Sequence, residues 1–301
     1  MSETGPSGVD SADSGGPDAA ASSVSLLGPA EIRDLAGLLD LTPTKKLGQN
    51  FVIDANTVRK IVRVAKVEPG DTVVEIGPGL GSLTLGLLEA GAAVVAVEID
   101  GRLAAQLPVT VSQLAPDARL TVVHDDALRI LSLPDEPTRL VANLPYNVSV
   151  PVLLHFLEHF PSIRSGVVMV QAEVGHRLAA EPGSKVYGSP SVKAAWYGSW
   201  RTAGQVSRQV FWPVPNVDSV LVGFERVGSG LDTEELRVRT FEIVDAAFQQ
   251  RRKMLRQSLS VVLGDSQNAA RTLEAAGLPP TERGEQLTVH DFLAIAKASL
   301  G

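Results

Sequence analysis

The sequence predicts an α/β protein in which a parallel sheet, covered by helices on both faces, is followed by a small all-helical domain. Up to residue 227, short apolar runs alternate with segments of helical periodicity. These runs are apolar throughout rather than at every second position, which is typical of parallel strands buried on both faces. After Gly228-Ser229-Gly230 every periodic segment is helical, so we expect a linker there and a second domain behind it.

The first 28 residues are predicted to form a disordered acidic tail. Gly, Ser, Ala and Asp dominate the first 25 positions, which contain no Lys or Arg and no apolar stretch behind a cationic start. Such a segment cannot bury enough apolar surface to become ordered, and it lacks the pattern of a signal or transit peptide. We also expect no membrane partner, because no apolar run in the 301 residues approaches the length of a membrane span.

The α/β domain is predicted to span residues 29–227. It begins with a helix from Pro29 to Leu41, since proline suits the first turn of a helix. A polar loop at residues 45–51 separates this helix from a second one, which Asp54 caps. Further helices are predicted up to about residue 90, at 149–160 and at 173–180. The predicted strands are residues 73–76, 93–97, 120–123, 139–142, 166–170 and 220–224.

The C-terminal domain, residues 228–301, is predicted to contain helices at 234–248, 252–263, 269–276 and 289–298.

The net charge of −7 argues only superficially against nucleic acid, because part of it lies in the acidic tail. Two local basic stretches are candidates for phosphate contacts, and the alternative for each is a solvated helix face. They are Lys45, Lys46, Arg59, Lys60, Arg63 and Lys66, and then Arg251, Arg252, Lys253 and Arg256.

Gly77, Gly79 and Gly81 form a glycine-rich turn between the first strand of the sheet and the next helix. Glycines admit a tight turn and a close ligand, and amides at a helix start favour negatively polarised atoms. Glu98 ends the second strand 21 residues after Gly77, where a carboxylate can accept from both hydroxyls of a ribose. Asp126 follows the third strand and could accept from an adenine amino group. Together they indicate a pocket for an adenosine-containing ligand; the alternatives are a plain strand-to-helix turn, a solvated acid and a helix cap.

NAD and S-adenosylmethionine both contain adenosine, and the segment after the fourth strand favours the second. Asn143-Leu144-Pro145-Tyr146 supplies an amide oxygen, a carbonyl beside a rigid proline, and an aromatic face. The Asn143 oxygen and the Pro145 carbonyl could accept from the two N–H groups of adenine N6, while Tyr146 could stack on the ring. Methyl transfer would then depend mainly on positioning and electrostatics. The alternative is a proline turn with a packed tyrosine, but an NAD-dependent oxidoreductase would leave this segment unexplained.

Two further segments carry potential chemistry. The glycine-flanked loop at residues 183–188 is a candidate for substrate contact. His155, Glu158 and His159 match the H-x-x-E-H pattern of one class of metalloprotease. They lie together on the polar side of an otherwise apolar helix, which is the simpler explanation, so we predict no metal. The absence of Cys excludes disulfides, thiolate metal sites and a cysteine nucleophile.

Several stretches taken together resemble one known family, from about residue 45 to the C-terminus. They are residues 47–51, 74–81, 98–100, 126–127, 143–147, 171–178, 211–219 and 248–259. The sequence resembles the ribosomal RNA adenine N6-dimethyltransferases, in particular those of the bacterial small subunit (16S). The resemblance implies a Rossmann-like sheet of the class I S-adenosylmethionine-dependent methyltransferases, with C-terminal helices that help dock on RNA.

The resemblance also assigns the residues of the site. S-adenosylmethionine would be bound by Asn50, the backbone at Val52, Gly77, Glu98, Asp126 and Asn143, with Gly79 in the same turn. Asn143, Pro145 and Tyr146 would be catalytic, and Tyr146 and Phe211 would contact the target adenine. Independently of the resemblance, the clustered charge of Arg251, Arg252 and Lys253 predicts that they contact the RNA.

The family's substrate is a pair of adjacent adenosines in the 3′-terminal hairpin loop of small-subunit rRNA, each methylated twice. We therefore expect a cytoplasmic, monomeric enzyme that acts on 16S rRNA in the small ribosomal subunit or its precursor, since a loop adenine leaves its stack at low cost. One alternative is the related large-subunit rRNA methyltransferase, which residues 211–219 and 248–259 disfavour. The other is a non-catalytic ribosome-assembly factor, which the full set of methyl-transfer residues disfavours.

Overall fold

The computed structural model describes residues 24–41, 50–227 and 233–301. The predicted tail therefore lies outside the described residues up to position 23, as do most of the loop at 45–51 and the linker after residue 227. Residues 24–28, predicted as the end of the tail, pack against the α/β part instead. Leu27 is 5% exposed and the Ser25 amide donates to the Leu114 carbonyl at 3.0 Å. These positions are apolar enough to add to the core, unlike the preceding sequence.

The described residues of the α/β part form helices and strands in alternation. In chain order they are α1 (Pro29–Leu38), β1 (Phe51–Val52), α2 (Ala55–Val64), β2 (Thr72–Ile76), α3 (Ser82–Glu89), β3 (Ala93–Glu98), α4 (Gly101–Leu114), β4 (Leu120–His124), β5 (Arg139–Asn143), α5 (Ser149–His159), β6 (Ser165–Gln171), α6 (Ala172–Leu178), α7 (Ser189–Tyr197), β7 (Gly198–Val206), β8 (Phe211–Trp212) and β9 (Ser219–Arg226). The C-terminal helices are α8 (Glu234–Gln249), α9 (Leu255–Ser258), α10 (Ser260–Leu263), α11 (Ser266–Ala275) and α12 (Val289–Leu300).

The main sheet has seven strands in the order β4-β3-β2-β5-β6-β9-β7. The first five are parallel, as the sequence predicts. The other end of the sheet differs from the predicted parallel arrangement, because β9 enters between β6 and β7 and runs antiparallel to both. Strand β7 was missed because it is a half-exposed strand at the sheet edge and its sequence is not a continuous apolar run.

Both faces of the sheet are covered, which explains why the strand sequences are apolar throughout. Val73 and Val74 are neighbours in β2, are both fully buried, and belong to hydrophobic clusters on opposite faces. Leu85 of α3 and Leu107 of α4 pack on the first face, and Phe156 of α5 packs on the second. Successive side chains of a strand point to opposite sides, so each residue has a helix to pack against.

A second, two-stranded sheet stands beside the main one. Phe51 pairs with Trp212 and Val52 with Phe211 in the antiparallel β1–β8 ladder, and the rings of Phe51 and Trp212 stack with centroids 6.3 Å apart. The sequence predicted a loop at Phe51, because a two-residue strand has no periodicity of its own. The ladder holds residues 50–52 next to the ends of the central strands.

The C-terminal helices do not match the prediction in one place. The helix predicted at 252–263 is instead a turn followed by α9 and α10. The Leu255 amide donates to the Glu282 carbonyl and the Arg256 amide to the Pro280 carbonyl. These two amides therefore pair with a distant segment and not within a helix. Tyr187 and Val192 belong to the same hydrophobic cluster as these helices, so the C-terminal core is shared with the segment before β7. The boundary at 227/228 stays a prediction.

Candidate active site

A cleft of about 280 Å³ opens where β2, β3, β4 and β5 end. Ligands of parallel α/β sheets bind at this edge because the carboxyl ends of the strands and their loops meet there. Every predicted cofactor residue and the predicted Asn143–Tyr146 segment line it. They are Asn50, Val52, Gly77, Gly79, Glu98, Asp126, Asn143, Pro145 and Tyr146.

The glycine turn adopts a backbone that other residues rarely take. Gly77, Gly79 and Gly81 all have positive φ angles, of 67°, 58° and 96°. A Cβ atom added at Gly79 would also lie 2.8 Å from the Phe51 ring. Because the turn and β1 approach so closely, both conformation and space favour glycine at this position.

Glu98, the last residue of β3, ties the turn to the next loop. One carboxylate oxygen accepts from the Gly79 amide at 3.2 Å and the other from the Asp100 amide at 2.9 Å. Burial raises the pKa of the Glu98 carboxyl above its ordinary value, while these backbone amides act in the opposite direction. Each oxygen keeps a second lone pair for a donor in the cleft, such as a ribose hydroxyl.

Asp126 lines the cleft and also shapes its own loop. Its carboxylate accepts from the Leu128 amide at 2.9 Å and lies 3.7 Å from the Arg129 guanidinium. Asp126 therefore caps a turn at residues 127–129 rather than a helix, and its place in the cleft wall leaves the adenine contact as a prediction.

Asn143 at the end of β5 is fixed by a contact across the cleft. Its amide nitrogen donates to the Asn50 carbonyl at 3.0 Å, between residues 93 positions apart in the sequence. With its nitrogen engaged there, the amide offers its oxygen as the acceptor for an N–H group in the cleft. Tyr146 follows in the next turn, half-buried, with its hydroxyl 2.8 Å from the Ser219 hydroxyl.

The other predicted substrate residues lie elsewhere. Phe211 is 1% exposed in β8, where it pairs with the cleft-lining Val52, and it does not itself line the cleft. Arg251 pairs with Glu285 at 2.8 Å and also donates to the Ser184 carbonyl. Arg252 and Lys253 are exposed in the turn before α9 rather than on a helix. Their roles remain predictions, with Arg251 partly engaged inside the protein.

The predicted loop at residues 183–188 and the H-x-x-E-H segment make contacts within the protein. The Gly183 amide donates to the Glu285 carbonyl, so this loop packs against the C-terminal helices. His155 contacts the Ile130 carbonyl at 2.7 Å, and Glu158 pairs with Arg237 at 2.7 Å. Across residues 24–41, 50–227 and 233–301, no cluster of His, Asp and Glu has the arrangement of a metal site.

Glu75 also lines the cleft, although the sequence pattern predicts no role for it. It lies inside β2 with 1% of its surface exposed, and the Thr84 hydroxyl donates to its carboxyl group at 2.6 Å. Burial raises the pKa of Glu75 to about 8. An acidic residue in an otherwise apolar strand was the available signal. Ser82 was missed as well; its hydroxyl donates to the Val52 carbonyl at 2.7 Å and connects α3 to β1.

Glu75→Gln should make stability less dependent on pH. The folded protein keeps the Glu75 proton up to about pH 8, whereas the unfolded chain releases it near 4.5. The free energy of unfolding of the wild type should therefore fall as the pH rises between these values, by up to about 1.4 kcal/mol per pH unit. Urea unfolding at several pH values between these limits measures the slope. Exposed Glu68→Gln is the control, and equal slopes for Glu75→Gln and the wild type would contradict the prediction.

The sheet, glycine turn and strand-end residues together define an S-adenosylmethionine-dependent methyltransferase of the α/β class. Two solved structures share the fold. A dimethyladenosine transferase from Plasmodium falciparum has a TM-score of 0.69 and 24% identity, covering 80% of this chain and 94% of that one. The 23S rRNA methyltransferase ErmE has a TM-score of 0.62 and 26% identity, covering 84% and 100%. The chain belongs to the ribosomal RNA adenine dimethylase family, which matches residues 41–299.

A curated relative from Leifsonia xyli supports the same membership. It is described as "Ribosomal RNA small subunit methyltransferase A" and is 74% identical over 273 residues, which cover 90% of this chain and 98% of the relative. The family resemblance and the fold class inferred from the sequence are thereby confirmed. In the part of the chain that the structure describes, no helix is both long and apolar enough to cross a membrane.

Proposed function

We propose that this chain transfers methyl groups from S-adenosylmethionine to N6 of two adjacent adenosines in the 3′-terminal hairpin loop of 16S rRNA, each receiving two. The arrangement of Asn143 carries the proposal: its amide is oriented by Asn50 at the edge of a cleft that also contains Glu98 and the glycine turn. The identity of 74% to a small-subunit methyltransferase supports this substrate.

The cleft suits an adenosine-containing methyl donor. Glu98 supplies a carboxylate for the ribose hydroxyls, and Ile99, Leu103 and Leu128 supply apolar wall for a purine ring. Gly79 keeps the turn free of side chains where it meets Phe51. S-adenosylmethionine, when bound, supplies an electrophilic methyl group on a sulfonium centre.

Asn143 at the end of β5 and the residues that follow it prepare the amine that is methylated. The lone pair of adenine N6 is delocalised into the ring, so the free amine is a weak nucleophile. Acceptance of its N–H groups by the Asn143 oxygen and the Pro145 carbonyl favours a pyramidal nitrogen, whose lone pair is then available. Tyr146 stacks on the ring and holds it in place. The alkylated amine is acidic and releases its proton without a strong base.

The proposal also includes the oligomeric state and the cellular location of the enzyme. We expect the enzyme to act as a monomer. We expect the enzyme to work in the cytoplasm, on the small ribosomal subunit or its precursor, where unmethylated 16S rRNA is available. Size-exclusion chromatography with light scattering tests the monomer.

The alternative with structural support is methylation of large-subunit rRNA. ErmE, described as a 23S rRNA methyltransferase, shares the fold at a TM-score of 0.62, so the fold alone does not separate the two substrates. Its identity to this chain is 26%, against 74% for the small-subunit relative, which favours the small subunit.

Incubation of unmethylated small subunits with labelled S-adenosylmethionine tests the proposal directly. We expect N6,N6-dimethyladenosine after nucleoside analysis of the 16S rRNA, and none in large subunits treated in the same way. Label only in large-subunit rRNA would favour the alternative. Titration with NAD is the second control, and tight binding of NAD without binding of S-adenosylmethionine would refute a methyltransferase.

Neutralising Arg252 and Lys253 together to Gln should weaken RNA binding and lower its dependence on salt. Both side chains are exposed, and each cation withdrawn from a phosphate should reduce the slope of log K against log salt by about 1. Binding to 16S rRNA at several salt concentrations measures the slope. Arg119→Gln with Arg164→Gln is the matched control, because these exposed residues precede β4 and β6, at the amino ends of the parallel strands and away from the cleft. An unchanged slope would exclude Arg252 and Lys253 from the RNA interface.

A further inference from the structure

We propose that Ser219 is a positioning residue for methyl transfer, which holds the ring of Tyr146 at the angle that the target base requires. It would act through Tyr146 alone and touch neither substrate nor cofactor. The inference rests on the proposed function, because that function gives the Tyr146 ring a base to stack on.

The contact joins a turn to the rigid part of the sheet. The Tyr146 hydroxyl lies 2.8 Å from the Ser219 hydroxyl, and the two residues are 73 positions apart in the sequence. Ser219 begins β9, where it pairs with Gln171 of β6 on one side and with Val206 of β7 on the other. It is 1% exposed, and its backbone is restrained by a paired strand on each side.

Tyr146 depends on this contact more than a core tyrosine would. It lies in the turn between β5 and α5, is only half-buried, and lines the cleft beside Pro145. A tyrosine ring rotates about two side-chain torsions. Attachment to the backbone at one end therefore leaves the orientation of the ring plane variable. A hydrogen bond from the far end of the ring to a residue of the sheet removes that freedom.

Ser219 is the hydrogen-bond partner that the structure shows for the Tyr146 hydroxyl. Asp218 is the charged group that acts on this hydroxyl, and its carboxylate accepts from the Arg208 amide at 3.1 Å. Burial raises the pKa of Tyr146 above its ordinary value, and Asp218 raises it further. The hydroxyl is therefore neutral at physiological pH and stays a hydrogen-bonding group rather than a base.

Two interpretations of the Tyr146–Ser219 bond make different predictions. If the bond only satisfies two polar groups, its loss lowers stability and leaves turnover unchanged. If it positions the ring, Tyr146→Phe keeps the ring but loses its anchor, and Ser219→Ala loses the same anchor from the other side. The two changes then have the same effect and do not add in the double variant.

Steady-state methylation of unmethylated small subunits by the wild type, the two single variants and the double variant tests this. We expect kcat to fall about tenfold in each of the three, with KM for S-adenosylmethionine within about twofold of wild type. Ser207→Ala, at an exposed serine between β7 and β8, is the matched control and should keep the wild-type kcat. Wild-type kcat in both single variants, or losses that multiply in the double variant, would overturn the proposal.

A measurement without activity separates this proposal from the proposed function. The chain has three tyrosines, so ¹⁹F spectra of protein labelled with fluorotyrosine contain three signals, and Tyr146→Phe identifies the one from Tyr146. Ser219→Ala should move the chemical shift of that signal towards the value of a freely rotating tyrosine ring. An unchanged signal would overturn the positioning role even in an active enzyme. A wild type that methylates no rRNA would refute the proposed function, while a shifted signal would still support the anchor.

Discussion

Asn143→Ala is expected to abolish methyl transfer, with a loss of at least about 100-fold in kcat, while the protein remains folded. The change removes the oxygen that accepts from N6 and the nitrogen that donates to the Asn50 carbonyl. Loss of one preorganised group that stabilises a transition state costs about 10²–10³ in rate. Single-turnover methylation of small subunits measures the chemical step, and thermal unfolding shows whether the fold is retained.

Two further variants show which part of the amide matters. Asn143→Asp keeps an acceptor but places a carboxylate against the Asn50 carbonyl, so we expect partial loss of rate and reduced stability. Asn56→Ala, at an exposed position of α2, is the matched control and should behave as the wild type. Turnover of Asn143→Ala close to the wild-type value would remove Asn143 from the mechanism and with it the main support for the proposed reaction.

Glu98→Ala is expected to weaken binding of S-adenosylmethionine by about 100-fold or more, since each hydrogen bond to a charged group contributes about 1.5–3 kcal/mol. The carboxylate would bind the ribose, and it also holds the Gly79 and Asp100 amides. The variant therefore loses a ligand group and the arrangement of two loops at once. Isothermal titration calorimetry with S-adenosylmethionine measures the dissociation constant directly.

Comparison with Glu98→Gln separates the two effects. The amide of this variant keeps one oxygen, which can accept from one of the two loop amides, but it has no negative charge to bind the ribose hydroxyls. We therefore expect an affinity for S-adenosylmethionine between those of the wild type and the alanine variant. Glu89→Ala is the control, because Glu89 forms a partly exposed ion pair with Arg59, and such pairs contribute little. Wild-type affinity in Glu98→Ala would show that the ligand binds outside this cleft.

The central strands were predictable because their burial on both faces leaves a signal in every residue. The predicted runs at 73–76, 93–97 and 139–142 differ from β2, β3 and β5 by one residue at an end. Strand β7 and the β1–β8 ladder were not predictable in this way. One is a half-exposed strand with mixed polarity, and the other consists of two residues per strand whose pairing depends on partners far along the chain.

The C-terminal part shows the same limit on prediction. A continuous helix at 252–263 is locally reasonable, but the Leu255 and Arg256 amides bond to carbonyls of residues 280–282 instead. Arg251 looked like one member of a basic cluster, and Glu285 engages it. In both cases a contact between residues more than twenty positions apart overrides the local preference.

The sequence by itself determined the family, the parallel centre of the sheet and the residues that meet at its edge. Those residues follow strands, and parallel topology brings strand ends together whatever the details of packing. The tertiary structure alone decided how the residues of the site are held. It pairs Asn143 with Asn50, links Tyr146 to Ser219 and pairs the strand of Phe211 with β1. These properties depend on hydrogen bonds and burial between residues far apart in the chain, for which the local sequence pattern carries no signal.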